Sequence, residues 1–585
     1  MASSVAESKP ESDSRSANIS IEGICTTNGM ENAKLFVFIL LISVLACSLF
    51  TTLHKSRYRY TAEYSNGLNY QTHYFMDNLS PTDSYSVVDY NCPAITPDTN
   101  LFPVKRKTER SKRSLSFPTD YRTSVVEIIN PQSYYNICDN IAIRIQAKGA
   151  NGSMKAYGGD YFRIKLFTEK PGYYAVGPDY FFDYENGTYV ALFTLRWTGT
   201  VRVNAKLVHP SEAVEILNRT TEGSASTVFT FYGEFKTQAS DGKIYSENVT
   251  CGVAPFKPPM CNESAKHTHG PWFCKKPTHK HLSCADWTTI SINPDSRKKL
   301  QSTLNKQELE VFKSTKVQLN TSSLPLIEVQ VGGGSLNHRT ALPFCTLSPV
   351  PSTIKPSGYF ANNSWQPLTC GVKHCDKHQF ETCLKGKSVH IYGDSTGRQM
   401  YEYLEDNENC DSVMSHEYLK YCVKKNQSIH FGFHGPPVRG SQIISVDKLR
   451  YVAEQIDDLE GGPEVIIILS IWAHFGVPDG TFYRDRLQAI KGAVGRLWQR
   501  SPETKVIVRS ANTREHAIGG FILISSDWIA LQGEKTLRGV FSQDKRFSFL
   551  DVWDMTLVQQ SKDAIHPLKT TLVQIMDYLL TMICL

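Results

Sequence analysis

The sequence predicts a multidomain protein in which an antiparallel β-sandwich is followed by an α/β domain with a parallel sheet. A chain of 585 residues is too long for one ordinary domain. The stretch YVALFTLRWTGTVRVNAKLV (189–208) alternates in hydropathy around a Thr-Gly-Thr break, which is typical of antiparallel strands. The later runs KSVHIYG, EVIIILSIW and TKVIVRSA are short and almost continuously apolar, as strands buried on both faces of a parallel sheet are.

The composition indicates a globular protein without a nucleic-acid partner. Hydrophobic residues make up 41% and charged residues 21% of the chain, which is the balance of an ordinary folded protein. A net charge of +6 is mild for this length. Because no basic face interleaved with aromatic residues stands out, we do not expect nucleic acid to bind.

Residues 35–53, LFVFILLISVLACSLFTTL, form a run of nineteen residues without a charge, long enough to cross a membrane as a helix. A cleaved signal peptide is disfavoured, because 34 residues precede the run and no small-x-small cleavage site follows it. We therefore predict a signal anchor. Residues 1–34 are then a disordered cytosolic tail, and residues 54–115 form a luminal stem.

Two kinds of sequence feature predict opposite orientations for the anchor. Lys55, Arg57 and Arg59 follow the span and favour a cytosolic C-terminal side. However, thirteen of the fifteen cysteines lie beyond the span, as in an oxidising compartment. Nine Asn-x-Ser/Thr glycosylation sequons also lie there, at Asn78, Asn151, Asn186, Asn218, Asn248, Asn262, Asn320, Asn362 and Asn426. We predict a single-pass type II protein with a luminal C-terminus.

The stem ends in KRKTERSKRS (105–114), which contains an Arg-x-Lys-Arg segment ending at Arg113. Proprotein convertases of the secretory pathway cut this form, and cleavage would release the protein for secretion. An exposed charged linker explains the same residues, and the sequence leaves both interpretations open.

A cysteine-rich segment closes the predicted sandwich domain, which spans residues 116–290. Its cysteines and histidines suggest zinc, but their spacing matches no ordinary zinc finger and oxidised cysteines cannot ligate a metal. We therefore expect disulfides and no metal. Residues 291–384 are predicted as a linker and cysteine-rich connecting region, and residues 385–585 as the α/β domain. The cysteines and histidines concerned are Cys261, Cys274, Cys284, His267, His269, His279 and His281.

The stretch YGDSTGRQMYEYL contains the strongest candidate for catalysis, Ser395. A strand ends at Tyr392, Gly393 permits a turn, and a helix follows. Such a serine faces the carboxyl edge of the sheet beside helix N-terminal amides, which suits acyl transfer. Alternatively, Ser395 merely caps the helix. Arg398, one turn later, is suited to a substrate carboxylate or to a salt bridge with an acidic neighbour.

The segment SKDAIHPLK near the C-terminus supplies candidates for the base. Asp563 and His566 are three positions apart, so both side chains can approach a distant serine together. His566 would take the proton of Ser395, and Asp563 would orient the imidazole. The alternative is an incidental pair in a surface loop.

The ordered motifs GDSTGRQMYEYL, FGFHGPP, AHF, DVWDMT and DAIHP resemble those of the neurexophilin and PC-esterase domain (NXPE) family over about residues 90–585. The resemblance implies an immunoglobulin-like, neurexophilin-like sandwich and an SGNH-hydrolase-like α/β/α domain. It also implies a triad of Ser395, Asp563 and His566, with an oxyanion hole formed by the Ser395 amide, Gly435 and His474. Family members carry Gln where this chain has Ala473, so the oxyanion hole departs from the family pattern.

The resemblance further implies a glycan O-acetyltransferase of the Golgi membrane that acts on glycans such as sialic acids through an acyl-serine. Acetyl-CoA is the expected acyl donor and a glycan or glycoprotein the expected acceptor. A glycan O-acetylesterase would use the same serine. A third alternative is a secreted binding glycoprotein with an inactive esterase fold, whose partner would be a neurexin-like receptor.

Overall fold

The computed structural model of this chain describes residues 92–93, 95, 115–224, 228–264, 271–313, 317–332, 342–416, 418–437, 443–448, 450–476, 480–515, 522–559 and 565–584. The predicted tail, membrane anchor and Arg113 cleavage site lie outside these residues. Within the described ranges, every helix is too short or too polar to span a bilayer.

The first half of the described chain is rich in strands. Its helices are α1 (Ser211–Arg219), α2 (Ser296–Gln301) and α3 (Lys306–Val311), with a π-helical turn at Thr220–Ser224 and a 3₁₀ turn at Cys284–Asp286. Its strands are β1 (Val125–Ile128), β2 (Tyr135–Asn136), β3 (Asn140–Gln146), β4 (Tyr161–Thr168), β5 (Tyr174–Val176), β6 (Tyr180–Asp183), β7 (Thr188–Thr194), β8 (Gly199–His209), β9 (Phe231–Gln238), β10 (Ile244–Gly252), β11 (Met260–Asn262), β12 (Phe273–Lys275), β13 (Trp287–Ile292), β14 (Ile327–Gln330), β15 (Gly358–Ala361) and β16 (Ser364–Pro367).

Two of the sheets share one hydrophobic core. The four-stranded sheet has the order β1-β3-β7-β6, and the seven-stranded sheet has the order β16-β15-β5-β4-β8-β14-β2. Their neighbours pair antiparallel except for β14 with β2. Alternate residues such as Ile143, Leu166 and Val201 are buried between the two sheets. The predicted antiparallel strands of this half are confirmed.

A third sheet joins the two halves of the chain. Its order is β11-β12-β10-β9-β13-β21, and β21 (Ile444–Ser445) comes from the second half. The segment 291–384, which the sequence predicts as a linker, contributes β14, β15 and β16 to the seven-stranded sheet. Residues Val87–Leu585 accordingly form one compact unit.

The second half alternates helices and strands. Its elements are α4 (Lys377–Leu384), β17 (Ser388–Gly393), α5 (Ser395–Glu408), β18 (Asp411–His416), β19 (Leu419–Lys424), β20 (Gln427–Phe433), β21, a 3₁₀ turn (Val446–Lys448), α6 (Val452–Asp457), β22 (Val465–Ser470), α7 (Gly480–Arg500), β23 (Lys505–Arg509), α8 (Ile522–Ser525), α9 (Asp527–Phe541), β24 (Ser548–Leu550), α10 (Trp553–Val558) and α11 (Lys569–Cys584).

Five strands of this half pair in parallel. The sheet order is β18-β19-β20-β17-β22-β23-β24, and the pairing is parallel from β20 to β24. The three apolar runs that the sequence predicts as parallel strands are β17, β22 and β23. Because these strands run in the same direction, the loops that follow them meet at one edge of the sheet.

Candidate active site

Ser395 lies at the first position of α5, immediately after a tight turn from β17. A Cβ atom on Gly393 would lie 1.9 Å from the carbonyl oxygen of Ser470, so only glycine fits this close approach to β22. Asp394 caps the helix, because its Oδ1 accepts a hydrogen bond from the Thr396 amide at 2.9 Å. The interpretation of Ser395 as the helix cap is therefore wrong.

The structure brings Ser395 together with His566. The Nε2 atom of His566 lies 2.8 Å from Ser395 Oγ, which suits a hydrogen bond from the serine hydroxyl to the imidazole. Both residues are half-buried, so a substrate can reach the serine. Asp563 lies outside the described residues, and its predicted role stays a prediction.

The main chain next to His566 is held by a buried asparagine. Asn512 Nδ2 donates to the carbonyl oxygen of Ile565 at 3.1 Å, and Arg509 Nη2 donates to Asn512 Oδ1 at 2.7 Å. Asn512 is only 1% exposed. Sequence reasoning missed Asn512, since its role depends on a main-chain contact that no sequence pattern indicates.

Asp394 links the nucleophile turn to the loop after β22. Its Oδ2 accepts hydrogen bonds from the amides of Trp472 at 3.1 Å and Ala473 at 2.8 Å, and its Oδ1 also accepts the Thr396 hydroxyl. The carboxyl group is fully buried. It therefore sets the distance between Ser395 and the loop that carries His474.

The loop after β20 supplies Gly435 and a histidine that sequence reasoning did not select. Gly435 has φ +76°, a conformation that favours glycine. His434 is buried, and its Nε2 lies 2.9 Å from Nδ1 of His474, so one ring N–H donates to the other ring. Burial lowers the pKa of His434 to about 3, so this imidazole is neutral at pH 7. In the sequence, the one feature that points to His434 is its place in the motif FGFHGPP.

Arg398 forms the salt bridge that was the alternative for it. Its Nε lies 3.5 Å from Glu402 Oε1, one helical turn away, and Lys420 Nζ lies 3.4 Å from the same oxygen. Arg398 therefore takes part in an ion-pair group with Glu402 and Lys420, and its predicted contact with a substrate carboxylate stays a prediction.

Two protein-family models together match most of the described chain. The model "NXPE family member 4-like, C-terminal domain" matches residues 365–584, and the model "Neurexophilin" matches residues 107–308. The chain belongs to the NXPE family. In this family member, Ser395, His434, His474 and His566 all fall within the match to the C-terminal domain.

The cysteine-rich segment of this NXPE protein is disulfide-bonded. Cys261, Glu263 and Cys284 offer ligand atoms within 4.8 Å of one another, but Cys261 pairs with Cys284. Cys274 pairs with Cys251, which confirms the expected disulfides. His279 and His281 are exposed and stack on Tyr245, while His267 and His269 lie outside the described residues. The other pairs are Cys92–Cys138, Cys345–Cys370, Cys383–Cys584 and Cys410–Cys422.

A cavity of about 90 Å³ lies beside the loop after β22. Its lining includes Trp472, Ala473, Phe475, Tyr483, Ser526 and Trp528. Because a cavity of roughly 150 Å³ accommodates benzene, this one suits a group of only a few heavy atoms.

Proposed function

We propose that this NXPE protein is a glycan O-acetyltransferase that carries the acetyl group on Ser395. The observation that supports the proposal is the 2.8 Å distance between Ser395 Oγ and His566 Nε2 at the carboxyl edge of the parallel sheet. We assign that sheet to an SGNH-hydrolase-like domain and the paired sheets of the first half to an immunoglobulin-like, neurexophilin-like sandwich.

The first half-reaction acetylates the serine. His566 Nε2 takes the proton of the Ser395 hydroxyl as Oγ attacks the carbonyl carbon of an acetyl thioester such as acetyl-CoA. Amides of Ser395 and Gly435, with His474, would stabilise the negatively charged oxygen. The C–S bond breaks, and the departing thiolate takes the proton from the His566 imidazolium.

The second half-reaction transfers the acetyl group to a sugar. A sugar hydroxyl gives its proton to His566 as its oxygen attacks the acyl-serine. The ester bond to Ser395 breaks, and Oγ takes that proton back. With water as the acceptor, the same steps hydrolyse an acetyl ester. Transfer and hydrolysis therefore differ only in the acceptor.

We propose further that the protein acts in the Golgi lumen as a type II membrane protein, or is secreted after cleavage near Arg113. The six disulfides and seven exposed sequon asparagines among the described residues suit such a compartment. A second candidate function, binding of a neurexin-like receptor by a secreted glycoprotein, is favoured by the neurexophilin match at residues 107–308.

The deciding experiment expresses the full chain, its Ser395→Ala variant and the control Ser445→Ala in cells. Ser445 is an exposed serine of the same half. O-acetyl groups on sialylated glycoproteins are then measured by mass spectrometry. We expect a rise with the wild type and the control but not with Ser395→Ala. A fall that requires Ser395 would indicate an esterase, and equal levels with all three folded proteins would favour the binding function.

A further inference from the structure

One face of strand β4 points from the β-rich half to the half that carries Ser395. Tyr161, Arg163 and Lys165 alternate along β4, so their side chains lie on the same face of the sheet. The Tyr161 hydroxyl donates to Asp527 Oδ2 at 2.7 Å, and Arg163 Nε donates to the same oxygen at 2.6 Å. Lys165 Nζ donates to the carbonyl oxygen of Val558 at 2.6 Å. We call these three residues the β4 face.

The contact between Arg163 and Asp527 is a buried ion pair. The side chain of Arg163 is 5% exposed and that of Asp527 is fully buried. A buried charge without its partner is costly, so the pair strongly favours this one arrangement of the two halves. Arg163 Nη2 also donates to the carbonyl oxygen of Arg514 at 2.6 Å.

The β4 face is linked by two routes to the main chain that precedes His566. In the first route, Lys165 and the Tyr173 hydroxyl both donate to the carbonyl oxygen of Val558, the last residue of α10. In the second route, Arg163 donates to the carbonyl oxygen of Arg514 in the loop after β23. Two residues earlier in that loop, Asn512 donates to the carbonyl oxygen of Ile565, which precedes His566.

We propose that the β4 face positions His566 against Ser395, so that the neurexophilin-like half is part of the catalytic unit. Arg163 and Lys165 of this face, and Tyr173 beside Lys165, are positioning residues, because they contact the main chain that supports His566. This inference rests on the proposed function only for the role of His566 as the base. The anchoring of the main chain at Val558 and Ile565 is independent of that role.

The test compares the full-length double variant Lys165→Met/Tyr173→Phe with the control Arg202→Met. The double variant removes both donors to Val558, whereas Arg202 is an exposed cation of the same seven-stranded sheet. Two quantities are measured: amide hydrogen exchange in peptides covering residues 555–570, and the rate at which a fluorophosphonate probe modifies Ser395. Losing two hydrogen bonds should speed that exchange by about tenfold or more and slow the labelling similarly. The control should change neither.

A second variant keeps the proposal testable if the double variant does not fold. Arg163→Lys keeps a positive charge near Asp527 but loses the fork that reaches Arg514, and it should show the same two changes to a smaller degree. Unchanged exchange and labelling in folded variants would overturn the proposal. If the probe does not label even the wild type, the proposed function fails, and the exchange comparison still decides whether the β4 face anchors this part of the chain.

Discussion

His566 Nε2 lies 2.8 Å from Ser395 Oγ, although 171 positions separate the two residues in the chain. The serine follows β17 and the histidine follows α10, so only the parallel sheet brings them to one edge. A hydroxyl at this distance from an imidazole can lose its proton as it attacks a carbonyl carbon.

The first prediction is that Ser395 and His566 act as one unit. Ser395→Ala and His566→Ala should each lower kcat/KM by about 10⁴-fold or more, and the double variant should lose little beyond either single variant. Steady-state kinetics with an acetyl ester checks this, with His281→Ala as a control at an exposed histidine. Additive losses in the double variant would contradict a shared step.

The second prediction concerns the acceptor capacity of Asp394. Asp394→Asn replaces one carboxylate oxygen by an NH₂ group, so either the amides of Trp472 and Ala473 or the donors of Thr396 lose their acceptor. The free energy of unfolding should fall by about 1.5–3 kcal/mol, because a buried amide loses a charged acceptor. Urea unfolding measures this, and the exposed Asp411→Asn is the control. Equal stability of the two variants would show that the buried carboxylate is dispensable.

The third prediction separates backbone strain from function at Gly435. Gly435 has φ +76° and Gly242 has φ +80°, and a Cβ on Gly435 would meet only an ordinary contact at 3.4 Å from the Tyr451 ring. Alanine at either site should therefore cost about 1–2 kcal/mol of stability through the backbone alone. Only Gly435→Ala should also lower kcat, because the proposed oxyanion hole includes the Gly435 amide. Unchanged kcat in that variant would remove Gly435 from the oxyanion hole.

The fourth prediction is that Asn218 carries no glycan. Trp528 Nε1 donates to Asn218 Oδ1 at 2.7 Å, and the Thr220 of the same sequon is 1% exposed. A glycan on Asn218 would have to fit between the two halves of the chain. Glycopeptide mass spectrometry of the secretory-pathway protein should find Asn218 unoccupied. Seven other described sequons have exposed asparagines and should be occupied: Asn151, Asn186, Asn248, Asn262, Asn320, Asn362 and Asn426. Full occupancy of Asn218 would contradict the contact with Trp528.

The fifth prediction is a loss of stability in acid that depends on His390. Burial, with a smaller contribution from the stacked ring of His430, lowers the pKa of His390 to about 3. The unfolded chain protonates this histidine below about pH 6.5, whereas the folded chain does not. For this group, the free energy of unfolding therefore decreases by about 1.4 kcal/mol for each unit by which the pH is lowered. His390→Gln should reduce the slope between pH 6.5 and 4.5 in urea unfolding, and the exposed His281→Gln should not. If the free energy of unfolding depended on pH equally in the wild type and in His390→Gln, the prediction would be wrong.

Local patterns in the sequence were sufficient to predict which strands are parallel and which are antiparallel. They were also sufficient to predict the serine and the histidine of the candidate site. Apolar runs such as EVIIILSIW and the alternation at 189–208 reflect burial within a few residues, and nearly continuous apolar runs are typical of parallel strands that helices cover on both faces. Ser395 and His566 were predicted because each stands in a short motif whose order matches the NXPE family.

Only the tertiary structure decided the contacts that depend on residues far apart in the chain. It selected the cysteine partners, such as Cys383 with Cys584, and placed the β4 face against Asp527 and Val558. The interactions of Arg163 span more than 350 positions. Periodicity reports which face of an element is buried but not what buries it, and that choice depends on how the whole chain packs.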